Sequence, residues 1–169
     1  MPAARPAGET HARTLEEISA YLQVAPEPAA TLIATAAFTG VRRSELRALR
    51  WENYNGQEIK VMQKAWEQHV GQPKRDSRGD LAVIPLLAKY LDRHRITLGD
   101  PISGYTFPNS KGTPMSLDRL TSYVIRPALK EAGLEWHGWH AFRRGLATNQ
   151  YATRCPILRA VAFSKEAEN

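Results

Sequence analysis

Hydrophobic periodicity predicts a mainly α-helical fold carrying one small antiparallel β-sheet. Apolar residues recur at three- and four-residue intervals through both ends of the chain, and the interval switches to alternation between Ile59 and Ile84. Glycine or proline punctuates each change of pattern. The 169 residues suffice for one domain with a real core and are short for two.

The elements follow in order. Met1 to Arg13 is rich in alanine and proline and has no periodic apolar face, so residues 1–13 read as a flexible lead-in. Thr14 and Glu17 have the spacing of a capping box, and Leu15, Ile18, Tyr21 and Leu22 then repeat on one face of a first helix. Pro26 and Pro28 separate it from a second helix, whose Leu32, Ile33, Ala36 and Ala37 suit close packing and which ends at Gly40. A third helix spans Arg42 to Leu49, stopped by the turn residues Asn53, Asn55 and Gly56. Ile59 with Val61, Ala65 to Val70, and Leu81 to Ile84 read as successive strands. Gly71 to Gly79 joins the last two, with Lys74 at or near the hairpin tip. Beyond Pro85, Leu86, Leu87, Tyr90, Leu91 and His94 recur at helical spacing, and Gly99 to Pro114 is a long loop. Ser116 caps a helix bearing Leu120, Tyr123, Val124 and Leu129, closed by Gly133, and a last helix runs from about His140 past Tyr151.

Composition narrows the function classes. The 23 Lys and Arg against 17 Asp and Glu leave a net charge of +6, which permits a polyanionic partner without demanding one. Cys155 is the single cysteine, so an intramolecular disulfide and a thiolate metal cluster are excluded. No apolar run approaches the roughly 20 residues that span a bilayer, and the first residues lack an apolar signal core. A cytoplasmic protein with no membrane contact is the expectation.

Three segments carry chemistry: Thr39-Gly40-Val41-Arg42-Arg43-Ser44-Glu45-Leu46, Pro73-Lys74-Arg75, and His140-Ala141-Phe142-Arg143-Arg144-Gly145. In this order, with strands between the first and the last, they resemble the arginine, lysine and His-x-x-Arg signature of the tyrosine recombinases, the phage-integrase type of DNA strand-exchange enzyme. The resemblance extends from about Thr14 to Ala152 and includes Tyr105-Thr106-Phe107-Pro108 ahead of Gly112. It implies an incomplete integrase-like catalytic domain over residues 14–152, followed by a divergent tail over residues 153–169.

A phosphodiester attacked by an oxygen gathers negative charge on its non-bridging oxygens, and guanidinium forks match that geometry. The resemblance accordingly gives Arg42 and Arg143 the task of clamping one phosphate. It gives Lys74 the leaving 5′ oxygen, because the neighbouring arginines hold their protons too tightly to act as acids. Imidazole exchanges protons near neutrality, so His140 becomes acceptor or orienting partner for the attacking tyrosine. No metal and no cofactor are implied, since the arginines supply the charge that magnesium supplies in many nucleases. Glu45 braces an arginine or the helix. The implied partners are double-stranded DNA and other recombinase protomers.

Simpler readings stand beside these. His137 and His140 are three apart, the spacing of a metal pair, but no third ligand stands at helical spacing nearby, so metal binding is set aside. Trp136 and Trp139 are taken as core residues. The family's Leu-Gly-His helix and its nucleophilic tyrosine are not found after Ala152, and its N-terminal clamp domain is not found either. Tyr151 stands too near Arg143 to be that nucleophile and reads as a packing residue. An active recombinase part with tyrosine supplied in trans, a non-catalytic DNA-binding remnant, and an unrelated helical module binding protein or RNA are the three readings left.

Overall fold

The computed structural model describes residues 11–66, 69–72 and 79–152. Helix α1 (Leu15–Val24) starts where the capping box requires: the Glu17 amide donates to Thr14 Oγ1 at 3.2 Å, and the Thr14 amide donates to Glu17 Oε2 at 2.9 Å. Helix α2 (Ala29–Thr39) is the centre of the domain. Every residue from Ala29 to Ala37 is buried, and its small side chains let α1, α4 and α7 approach it on different sides. Gly40 ends it in the left-handed region, at φ 65°, and the chain turns directly into α3 (Arg43–Arg47).

After a 3-10 turn at Trp51–Asn53 come β1 (Glu58–Lys60), β2 (Lys64–Trp66), β3 (His69–Gly71) and β4 (Asp80–Ala82). They do not form the single sheet expected from sequence. β1 pairs with β4 in antiparallel register, Ile59 opposite Leu81, while β2 pairs with β3, Ala65 opposite Val70. The stretch Ala65 to Val70, read as one strand, is therefore two. Burial explains the division: Ile59 and Val61 face the core, Ala65 is buried against α3, and His69, Val70 and Gly71 are all exposed. Pro73 to Arg78, including Lys74, lies outside the described residues.

Helix α4 (Pro85–Thr97) packs Leu87, Leu91 and His94 inward and begins at Pro85 itself, whose missing N–H costs nothing in a first turn. Ser116 caps α5 (Leu117–Leu120), which continues through a π-type turn at Thr121–Ile125 into α6 (Arg126–Glu131). Helix α7 (His140–Ala152) closes the core against α2. Phe142 is fully buried there among Tyr21, Trp136 and Trp139, which bears out the core reading of both tryptophans.

The start of the described chain departs from the expected lead-in. Arg13 is 1 % exposed: its amide donates to the Ala141 carbonyl at 3.1 Å and its guanidinium lies 4.3 Å from the Tyr21 ring centroid. Gly145 makes this possible, because a Cβ on it would stand 2.4 Å from the Arg13 carbonyl oxygen. Burial lowers the Arg13 pKa and pushes the Tyr21 hydroxyl up to about 12. Alanine and proline content hid this arginine, which sits under the ring cluster as a cation over aromatic faces.

Candidate functional site

An open cavity of about 1020 Å³ lies between α3, the β2–β3 pair, the loop from Tyr105 to Pro114 and the first residue of α7. Its cationic lining is Arg42, Arg43, Arg47 and Lys111, with His140 beside them. Among the described residues Asp118 is the one acidic residue of the lining, and it is already bound to Arg43 at 2.6 Å. The wall is thus shaped for an anion.

Each cation is held by local structure. Arg42 is the residue ahead of α3, in extended conformation, and its amide donates to Glu45 Oε2 at 3.2 Å. Glu45 is 6 % exposed and also faces the Arg42 guanidinium at 3.6 Å, so it braces both the helix start and the arginine. Arg47 ties three elements together: Nε donates to the Met115 carbonyl at 2.8 Å and Nη1 to the Ala65 carbonyl at 3.3 Å. Burial, with the like charge of Arg43, holds the Arg47 pKa below its usual value against the pull of Asp118.

The loop between α4 and α5 is a scaffold in its own right. The Trp51 amide donates to Gly104 O and the Thr106 amide to Leu49 O, so the loop pairs with the chain leaving α3 and aims Tyr105 at the cavity. Buried His94 meets the Thr106 carbonyl through Nε2 at 2.8 Å; burial lowers its pKa, so it donates as a neutral ring. Farther along, Asn109 Oδ1 accepts from the amides of Lys111 and Thr113, closing a tight turn with Lys111 at its exposed apex.

The four residues singled out by sequence fall as follows. Arg42 and His140, from opposite ends of the chain, line the same cavity. Arg143 is not among the lining residues; its Nη1 donates to the Gly40 carbonyl at 3.1 Å, two residues ahead of Arg42. Lys74 lies outside the described residues. His137 and His140, weighed as a metal pair, part company: His140 lines the cavity and His137 stacks on His11. Sequence reasoning missed Arg47, Lys111 and Tyr105 as lining residues. Tyr105 and Lys111 fall in Gly99 to Pro114, which the sequence marks only as a long loop, and nothing in it says which wall it completes.

The sequence profile described as the phage integrase family matches residues 10–161. The structure resembles the crystal structure of the XerA recombinase, with a TM-score of 0.69 at 19 % identity over 95 % of this chain and 57 % of that one. It resembles the integrase of the Tn1549 transposon in complex with a circular intermediate DNA, with a TM-score of 0.71 at 13 % identity over 94 % of this chain and 59 % of that one. A lambda integrase dimer bound to a COC' core site superposes with a TM-score of 0.60 at 18 % identity, over 89 % of this chain and 44 % of that one. The chain therefore spans well under two thirds of these proteins. No curated protein matches it in sequence.

Proposed function

Since the chain belongs to the phage integrase family, we propose that it is part of the catalytic domain of a site-specific tyrosine recombinase and that its basic cavity holds one phosphate of double-stranded DNA. One observation carries this reading: Arg42 and His140, remote in sequence, line one cation-rich cavity, and Arg143 is tied to the carbonyl that precedes Arg42.

The chemistry follows from charge. Arg42 and Arg143 bind the non-bridging oxygens and stabilise the charge that grows there as the phosphorus is attacked. Lys74 donates a proton to the leaving 5′ oxygen, and His140 accepts or orients the proton of the attacking tyrosine. On this reading another recombinase protomer supplies that tyrosine, and the product is a phosphotyrosine that a free 5′ hydroxyl later resolves. Arg43, Arg47 and Lys111 add long-range attraction for the duplex without reading its sequence. DNA and further recombinase protomers are the partners, and the arginines perform the charge neutralisation without a metal at the phosphate.

Fluorescence anisotropy of a labelled duplex against salt concentration tests the binding. Arg42→Ala and Arg143→Ala should each weaken it and lower the slope of log K against log salt by about one. Unchanged binding in both variants removes the cavity as the contact surface. A nicked suicide duplex mixed with a tyrosine-bearing recombinase protomer then separates the catalytic reading from plain binding. Covalent adduct that depends on Arg42 supports strand cleavage, whereas binding without adduct leaves a DNA-binding module.

A further inference from the structure

Away from the cavity, three donor side chains from separate stretches of chain converge. His11 precedes α1, Glu17 lies on its first turn, and His137 is in the loop leading to α7; one ligand atom from each lies within 4.8 Å of the others. His11 Nε2 stands 2.9 and 3.1 Å from the two Glu17 oxygens. The His11 and His137 rings stack with centroids 3.9 Å apart and planes within 15°. All three residues are partly buried, and none lines the cavity described above.

We propose that His11, Glu17 and His137 form a binding site for one divalent ion of the zinc class, joining the segment before α1 to the loop that enters α7.

Two imidazole nitrogens and a carboxylate oxygen, with a fourth position open to water, are a donor set of zinc, cobalt and nickel; magnesium and calcium prefer oxygen alone. Donors about 2.0–2.1 Å from one ion stand roughly 3–3.5 Å apart, so the donors must close from within 4.8 Å and one imidazole must turn out of the stack to bring both in-plane lone pairs onto the ion. The carboxylate is already aimed. Glu17 Oε2 accepts from the Thr14 amide at 2.9 Å, which leaves Oε1 toward His11. Burial alone would raise the Glu17 carboxyl, but the Thr14 amide and His11 bring it below its usual value, so it faces the imidazoles as an anion.

Further charges bear on the site, among them the Arg144 guanidinium, whose Nε donates to the His11 carbonyl at 2.9 Å and which opposes a cation. The Arg13 guanidinium approaches Glu17 Oε1 to 3.8 Å and opposes a cation, while Glu135 Oε2 stands 3.9 Å from His137 Nε2 and favours one. The spacing of His137 and His140 in sequence pointed to the wrong pair. Its partners arrive from the other end of the chain, which no helical spacing reveals. Chelation here would link residue 11 to the loop three residues before His140, so the ion would order both sides of the contact between Arg13 and α7. This inference stands independently of the DNA reading.

Cobalt substitution supplies the test, on the full chain freed of any affinity tag and stripped with chelator. Titration with Co²⁺ should give visible d–d bands that saturate at one equivalent and are displaced by Zn²⁺. His11→Ala and His137→Ala should each lower the affinity about 10-fold or more, Glu17→Gln should weaken it while keeping the helix cap, and His69→Ala should leave it unchanged. Zn²⁺ should also protect His11 and His137 of the unaltered protein from carbethoxylation, read by peptide mass spectrometry, which keeps the test free of any folding defect in the variants. Absent bands, bands that survive loss of both histidines, or unprotected histidines would overturn the site.

Discussion

Gly145→Ala sets two well-understood effects against each other. In the middle of α7 alanine favours the helix by about 1 kcal/mol over glycine. The new Cβ, however, would lie 2.4 Å from the Arg13 carbonyl oxygen and 2.9 Å from its amide nitrogen, and both are backbone atoms that no rotamer change can move. The segment must retreat by about 1 Å to restore ordinary contact. That retreat weakens the 3.1 Å bond from the Arg13 amide to Ala141 O, a loss of about 1 kcal/mol, and lifts the guanidinium from the Tyr21 face, about 1–2 kcal/mol when desolvated. Strain in the remaining contacts adds about 1–3 kcal/mol. Destabilisation dominates, by about 2–5 kcal/mol net, which for a chain of this size is roughly 4–20 °C in Tm. Thermal melts followed by circular dichroism, with urea unfolding alongside, measure it. A Tm that is unchanged or raised would show that propensity alone acts and that residue 13 does not lie against α7.

Other perturbations have equally definite outcomes. His94 is buried with a pKa below its usual 6.5, so the unfolded chain binds more protons than the folded one as pH falls from that value. Its contribution to stability is full above about pH 6.5 and declines below it until the folded ring also protonates; His94→Gln should flatten that part of a Tm-against-pH curve, and an unaltered slope would refute the assignment. Asp118→Asn releases Arg43 from its 2.6 Å ion pair and should tighten duplex binding with a salt slope steeper by about one, while stability changes by under about 1 kcal/mol because the pair is exposed. Anisotropy titrations at two salt concentrations decide it. Lys111→Ala should weaken binding of every duplex sequence alike, since an ammonium at an exposed turn contacts phosphates and not base edges; a sequence-dependent loss in a panel of duplexes would contradict that. Gly40→Ala combines a positive φ with a Cβ 2.8 Å from Leu146 Cδ2, and it displaces the carbonyl that Arg143 binds, so melts should show a loss of about 2–3 kcal/mol together with weaker DNA binding.

Sequence by itself determined whatever depends on residues within about four positions of each other. The Thr14 and Glu17 cap, the Gly40 stop before Arg42 and the Ser116 cap of α5 all stand where side-chain chemistry placed them. Such signals act through backbone donors one turn away, and no remote partner can override them cheaply. The Thr-Gly-x-Arg and His-x-x-Arg segments likewise announced the family before any geometry was known.

Tertiary structure alone decided the rest, because those outcomes are set by groups on separate elements, well beyond the few positions over which local pattern acts. Ala65 to Val70 became two strands since Ala65 found cover under α3 while the residues of β3 stayed exposed. Arg13 left an apparently featureless lead-in for the core because Gly145 leaves room for its backbone. Lys111 and Tyr105 joined the cavity only when loop and helix packing closed its wall, and His137 met His11 instead of His140. Local pattern fixes which way a segment coils; which distant surface it then covers is settled by the burial and close packing of the whole chain.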